Sequence, residues 1–301
     1  MDRLEAMTIL LRVVDKGSFS AASRDLGVPL ATVSRKVNEL ERHLGTRLLV
    51  RTTRKVALTD AGAAYVASTR RILDELDETE RVAAGEFHVP RGELIVTAPV
   101  FFGRLHILPI VTEFLVAYPQ INVRLLLADR NLHLIEEHVD MAVRIGSLPD
   151  STMIATRVGS MRTVVCASPK LLARQGIPKS PEDLSGQPCV NFEFLSPASA
   201  WSFRLMDSKA TTDVQIRPRL SVTTAEAAVW AASEGVGATR VLHYQCADAV
   251  RDGLLRIILA NFEVEPLPVH LLQAGRGRLP TKTRFFLDFA AQRLRGRLAS
   301  L

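Results

Sequence analysis

Apolar residues recur at Leu30, Val33, Val37, Leu40 and Leu44, the spacing of one face of a helix. Just upstream, residues 20–26 set Ala22 and Leu26 four apart, with Phe19 on the same side. Gly27-Val28-Pro29 separates the two segments. Pro29 suits a helix start because it has no N–H to lose, and Gly45 suits a helix end because glycine turns left-handed at little cost. Residues 2–16, with Leu4, Met7, Ile9, Leu11 and Val14, predict a helix that props this pair from behind and stops at Gly17. Residues 48–58, LLVRTTRKVAL, read as two short β runs around a basic turn. Thr59-Asp60 then predicts an N-cap for a long helix over about residues 61–86. Along that helix Tyr65, Thr69, Ile72, Leu76, Thr79 and Ala83 form a weak heptad seam, with Asp74, Glu75, Asp77, Glu78 and Glu80 toward water.

Pro90-Arg91-Gly92 breaks the helix, and the pattern changes to short apolar runs alternating with helical ones. Strands are predicted at 93–97, 121–127 and 140–145, with helices at about 103–117 and 132–138 between them. That order predicts a parallel sheet with helices on both faces. A crossover near Ser160-Met161 leads to a similar unit from 163–167, with helices near 169–174 and 225–233 and strands around Phe203, 215–222 and 255–259. A run at 269–273 and a helix at 281–294 should return to the first lobe. The expected domains are 1–60, 61–89 and 90–301, the last with one lobe of about 90–160 and 267–301 and another of about 161–266.

Charge sharpens the first region. From Leu30 to Lys55 seven basic residues face two acidic ones, a net of +5 within a chain of net +6. Two short helices around a glycine-bearing turn make a helix-turn-helix, whose second helix enters the DNA major groove. Ala31, Thr32, Ser34, Arg35 and Asn38 are free to reach it, with Ser20 beside them on the preceding helix. Base contacts are expected from Thr32, Ser34 and Arg35, and phosphate contacts from Arg51, Thr52 and neighbouring lysines. Arg54, at the tip of the basic hairpin, would enter a minor groove as a wing. An ordinary helical hairpin is the competing reading of the helix pair taken alone.

Through Leu4, Phe19, Ala22, Leu26, Val33, Ser34, Leu40, Glu41, Leu44, Gly45, Leu48, Leu49, Arg51, Leu58, Thr59 and Gly62 the chain resembles the LysR-type transcriptional regulators. Ser23 departs from the small alanine usual there. The resemblance covers the whole length. It implies a winged helix-turn-helix of all-α type, a dimer-forming linker helix and an α/β effector domain of two lobes, similar to type 2 periplasmic binding proteins. It further implies homodimers, tetramers built from two dimers on double-stranded DNA with two-fold symmetry, and a small-molecule effector; RNA polymerase is an added expected partner.

A cleft between two lobes is where such an effector would sit. Residues 97–103, with Thr97, Pro99 and Val100 among them, place a strand end against a helix start, so the free N–H groups there would face the cleft and favour a carboxylate, with Phe101 and Phe102 as apolar walls. Thr223 and Thr224 precede another helix, Phe194 and Trp201 offer apolar walls, and Arg144 and Gly146 close a strand at the hinge side. For each aromatic the competing reading is core packing, and for Arg144 a structural ion pair. A carboxylated or aromatic metabolite is the expected effector.

Composition excludes other classes. The chain has 301 residues, 47% hydrophobic and 23% charged, with a pI near 9.5 that points to a polyanionic partner. Three cysteines without metal spacing fit a reducing cytoplasm. Met1-Asp2-Arg3 opens directly into a helix without a signal peptide, and no apolar run is expected to reach a membrane-spanning length, so a membrane partner is not expected. His133 and His138 are five apart, about 140° around a helix, and make a poor metal pair. Gly275-Arg276-Gly277-Arg278 lacks the Lys-Ser/Thr of a phosphate loop, and no nucleophile elbow is present. Arg293, Arg295 and Arg297 read as a solvated tail. No cofactor, metal or enzymatic activity is expected. The remaining alternatives are a constitutive architectural DNA binder, which leaves the second half without purpose, and a solute-binding protein or enzyme, which leaves the basic wing without one.

Overall fold

The computed structural model describes residues 1–51, 56–83, 89–129, 139–148, 153–196, 198–206, 210–273 and 279–299. The chain divides into two units, Met1–Gly92 and Glu93–Leu301.

In the first unit each helix is bounded by its own local signals. The Asp2 carboxylate accepts from the N–H of Leu4 at 3.0 Å and of Glu5 at 3.3 Å, starting α1 (Arg3–Lys16). Gly17 ends it at φ 67°. The Ser18 hydroxyl accepts from Ala21 N–H at 3.0 Å and starts α2 (Phe19–Leu26). α3 (Leu30–Leu44) runs from Pro29 to the left-handed Gly45. β1 (Leu49–Arg51) and β2 (Val56–Leu58) pair antiparallel with Leu49 opposite Leu58. The Thr59 hydroxyl then accepts from Gly62 N–H at 2.9 Å, and α4 (Asp60–Ala83) follows. A Cβ on Gly62 would stand 2.0 Å from the Leu48 carbonyl oxygen, so only glycine lets α4 lie this close to the wing strand.

The core joins Ala6, Ile9, Leu10 and Val13 of α1 to Ala22, Val33, Val37, Leu40, Leu48, Leu49 and Val66. The buried stripe of α1 is thus rotated from the one expected, and Leu4 is exposed. Leu30 and Leu44 are also exposed, because the end turns of α3 overhang the core. The heptad seam divides. Thr69 is buried and Tyr65 packs on this core, while Arg70 pairs with Asp15 of α1. Ile72 is exposed.

β3 (Gly92–Ala98) opens the second unit, followed by α5 (Val100–Phe102), a π turn at Gly103–Ile107, α6 (Leu108–Ala117), β4 (Ile121–Leu127), β5 (Met141–Ile145) and β6 (Ile154–Met161). Next come β7 (Thr163–Ala167), α7 (Pro169–Gln175), β8 (Cys189–Phe192), the hairpin β9 (Ala200–Arg204) with β10 (Thr211–Gln215), and β11 (Pro218–Val222). α8 (Ala225–Ser233), β12 (Ala238–Leu242), α9 (His243–Arg251), β13 (Arg256–Ile258), β14 (Leu267–Gln273) and α10 (Thr281–Ala299) complete the unit. One five-stranded sheet has the order β4-β3-β5-β14-β6 and the other β11-β8-β12-β7-β13.

Neither sheet is the all-parallel one expected. β3 runs parallel to β5, and β8 to β11 and β12, but β14 is antiparallel to β5 and β6, and β7 to β12 and β13. The chain passes from one sheet to the other through β6–β7 and returns through β13–β14, and these crossing strands enter without a helical crossover to keep them parallel. The sequence reading also missed β12 and α9. Thr239 and Arg240 interrupt the apolar run of β12, although Thr239 is fully buried and Arg240 nearly so. Residues 215–222 were expected as one strand, but the chain leaves β10 before Pro218 and re-enters as β11.

The 18 residues Val100–Ala117 reach a mean hydropathy of 1.6, enough by length and composition to cross a membrane, which corrects the expectation that no run does. Phe102, Ile107, Ile110, Val111 and Phe114 of this segment are buried in the first core, which accounts for the apolarity. Arg293 and Arg297 are no solvated tail: both bond the Glu113 carboxylate on α6, at 2.7 and 3.2 Å.

Candidate nucleic-acid interface and ligand cleft

Val33, Val37 and Leu40 turn α3 inward, which leaves Ala31, Arg35 and Asn38 exposed and Thr32 and Ser34 partly so. Ser20 is exposed on α2. All six candidate contacts on the two helices therefore have access to a groove. The Ser23 hydroxyl donates to the Val28 carbonyl at 2.6 Å, so the departure at this position stitches the turn between α2 and α3. Arg35 is 62% exposed along its side chain and holds Glu39 at 3.3 Å, a hydrated i,i+4 pair that a base or phosphate can replace at little cost. Lys36 is different: it pairs with Glu5 of α1 and is mostly buried, so it is an anchor and no free phosphate contact. Glu41 accepts from the N–H groups of Leu48 at 2.7 Å and Leu49 at 3.0 Å. This charge-assisted fork fixes the root of the wing to α3, a role the sequence reading did not assign. Arg51 pairs with Val56 in the hairpin, while Thr52 and Arg54 lie outside the described residues, as do the helix expected at 132–138 and Gly275 to Arg278.

In the second unit a cleft with an empty volume of about 870 Å³, counting space open to solvent, gathers the ends of β3, β4 and β5, the loop after β8 and the starts of α8 and α9. Of the candidates, Pro99, Val100, Phe101, Arg144, Phe194 and Thr224 line it. The others do not. Thr97 is fully buried and donates to the Leu126 carbonyl at 2.9 Å, stapling β3 to β4. Phe102 is core, edge-on to Tyr244. Trp201 is fully buried under the second sheet and donates to Asn191 Oδ1 at 3.3 Å. Gly146 forms a turn at φ 113°, its N–H donating to Pro268. Thr223 is exposed and is not part of the wall. Residues not foreseen take their places, chiefly Asp129, Phe192, Glu226, Tyr244 and Gln245.

The expected carboxylate position is already filled. Asp129 Oδ1 accepts from Val100 N–H at 3.0 Å, so the protein's own carboxylate sits at that helix start. Nothing local announces this contact, because the two residues lie 29 positions apart. Arg104 on the π turn bonds Glu226 of α8 at 2.9 Å and stands 5.0 Å over the Phe101 ring, which joins the two sheets' helices at the rim. Tyr244 follows the second sheet yet packs into the first core; burial pushes its phenol well up, and Gln245 Nε2 donates to its oxygen at 3.3 Å. Arg144 donates to the Val143 carbonyl at 3.3 Å, and burial pulls its pKa below the usual arginine range.

Comparison with known proteins assigns both parts. Residues 4–63 match the family described as bacterial regulatory helix-turn-helix protein, lysR family, and residues 88–295 the LysR substrate binding domain. An HTH-type transcriptional regulator of Xanthomonas campestris pv. campestris is 36% identical over 290 residues, 95% of this chain and 84% of that protein. A transcriptional repressor of Pseudomonas aeruginosa is 34% identical, over 97% of this chain and 92% of the relative. The solved structure of CrgA, a LysR-type regulator from Neisseria meningitidis, aligns at TM-score 0.61 and 30% identity over 96% of this chain and 98% of that one. The full-length Vibrio cholerae virulence activator AphB aligns at 0.60 and 25%, over 96% and 99%. With a winged helix-turn-helix at one end, a two-sheet binding domain at the other, and relatives along its whole length that regulate transcription, the chain belongs to the LysR family of transcriptional regulators.

Proposed function

We propose that this regulator binds a promoter site of two-fold symmetry as a dimer or as a tetramer built from two dimers, and that a small molecule in the cleft of the second unit switches it. The observation that carries the reading is the pairing of an outward-facing helix, with Arg35, Asn38 and Ala31 exposed, with a cleft walled by side chains of both sheets. The uncovered Ile72 on α4 supports dimerisation there, since the earlier seam positions are already used inside the unit. A ligand that closes or twists the two sheets against each other shifts the equilibrium only by its difference in affinity for the two states. Thr32, Ser34 and Arg35 read bases, whereas Arg51, Thr52 and Arg54 hold the backbone, with Arg54 in the minor groove. The protein works in the cytoplasm, and contact with RNA polymerase belongs to the same reading.

Gel-shift binding to the DNA upstream of its own gene, against scrambled DNA across a salt series, tests this. Sequence-preferring binding that weakens steeply with salt is expected. Arg35→Ala should erase about 1–3 kcal/mol of discrimination between sites. A uniform loss on both DNAs would make Arg35 a phosphate contact. Metabolites that alter the shift should lose their effect in Phe194→Ala.

A further inference from the structure

We propose that the cleft takes an apolar organic amine, its ammonium on Asp129 Oδ2 and its hydrocarbon body among the rings, and discriminates against the matching acid. This rests on the reading of the cleft as the ligand site. The polar groups of the wall decide the sign of the charge. Thr224 Oγ1 accepts from Ala227 N–H at 3.3 Å. Gln245 is engaged at both ends, Oε1 accepting from Leu242 N–H at 2.9 Å and Nε2 donating to the Tyr244 oxygen at 3.3 Å. Glu226 is bonded by Arg104 at 2.9 Å. Arg144 is engaged too, by the Val143 carbonyl at 3.3 Å and by a further interaction, so it is not held in reserve for a ligand acid. That leaves Asp129, whose Oδ1 accepts from Val100 N–H at 3.0 Å; among the described residues Oδ2 has no such bond. Neutral donors that remain, such as the Thr224 hydroxyl, do not offset two carboxylates.

A ligand acid beside Asp129 would meet a like charge, whereas an ammonium would gain a charge-assisted bond. Asp129 is partly buried, so that pair is screened less than one on the open surface. Its charge is felt inside the cleft: burial pushes the Tyr244 phenol up, and the Asp129 carboxylate raises it further. The rest of the wall suits the same ligand. Phe101 stands 5.8 Å from Tyr244, and Phe192 stacks on Phe194 at 6.0 Å. Ring faces attract cations, and Phe101 already does so at the rim, where the Arg104 guanidinium lies 5.0 Å from its centroid. Aromatic walls around one uncommitted anionic acceptor match an ammonium carried on a hydrocarbon.

The test is calorimetric titration of the full-length protein with three compounds of nearly one shape: 2-phenylethylamine, 2-phenylethanol and 3-phenylpropanoate. The amine should bind at least about tenfold more tightly than the alcohol, and the acid more weakly than either. Asp129→Asn keeps an oxygen to accept from Val100 N–H. It should bring the amine down to the affinity of the alcohol and leave the alcohol little changed. The assignment is overturned if the acid binds as tightly as the amine, if Asp129→Asn leaves the amine unchanged, or if none of the three binds. Phe194→Ala separates this proposal from the reading beneath it. If the acid is preferred and Phe194→Ala weakens it, the cleft stands and only the amine class is wrong. If amine binding survives both Phe194→Ala and Asp129→Asn unchanged, the cleft is not the site and both fail.

Discussion

α3 and the cleft wall use charge in opposite ways. On α3, Arg35 is hydrated and its partner Glu39 lies one turn away on the same helix. In the cleft, Arg144 is half-buried, and Asp129 is tied to a backbone amide supplied by a different element. A surface meant for a polyanion gains from exposed, exchangeable cations, because the phosphates supply the counter-charge and release their ions. A pocket meant for one small molecule gains from charges fixed and partly desolvated before the ligand arrives, since ordering them later would cost affinity. The first unit therefore keeps its chemistry on a surface that local structure defines, and the second keeps its chemistry at a junction that the whole fold defines.

The comparison can be broken most sharply through two glycines. A Cβ on Gly62 would lie 2.0 Å from the Leu48 carbonyl oxygen, and one on Gly237 2.7 Å from the Pro188 carbonyl oxygen. Gly62→Ala should destabilise the first unit and Gly237→Ala the second, each by about 3 kcal/mol. Denaturant unfolding followed by circular dichroism, with gel shift as the readout of the first unit, checks this. If either substitution lowers both units equally, they do not unfold independently.

Acid provides the next contrast. Burial, helped by Arg297, lowers the pKa of His106, whose Nε2 has no hydrogen-bond partner among the described residues. Burial also lowers those of His243 and His270, and all three belong to the second unit. Their folded pKa values lie below the unfolded value near 6.5, so the unfolded chain takes up protons first as pH falls. The stability they contribute is complete above about pH 6.5 and declines below it, toward the lowered folded values. The midpoint of the second unit should fall with acid over that window, and His106→Leu should make the slope shallower. An unchanged slope would show that His106 is solvated in the folded protein.

The smallest effect belongs to the rim. Arg104 and Glu226 are both more than half exposed, so Arg104→Met should change stability by less than about 1 kcal/mol. A larger loss would mean that the pair, with Phe101 beneath it, holds the two sheets together.

The sequence by itself bounded the helices of the first unit, but not which face of α1 is buried or that Glu41 holds the wing. Asp2, Ser18 and Thr59 as N-caps and Gly17, Gly27 and Gly45 as left-handed ends act within a few residues of themselves, so their positions bound the helices without knowledge of the rest. The helical period of Val33, Val37 and Leu40 likewise identifies the outward residues of α3, because whatever is not buried on a short surface helix is available. In the second unit the same reasoning placed α8 and β4, whose runs are local, and gathered six of the cleft residues. It lost Trp201 and Phe102 to the cores because an aromatic next to a strand end carries no sign of which face it will take. The tertiary structure alone decided that β14 would return between β5 and β6, that Tyr244 would cross into the first core, and that Asp129 would cap Val100. Each of these joins segments far apart in the chain, where the free energy depends on which surfaces meet and not on the residues of either segment taken separately.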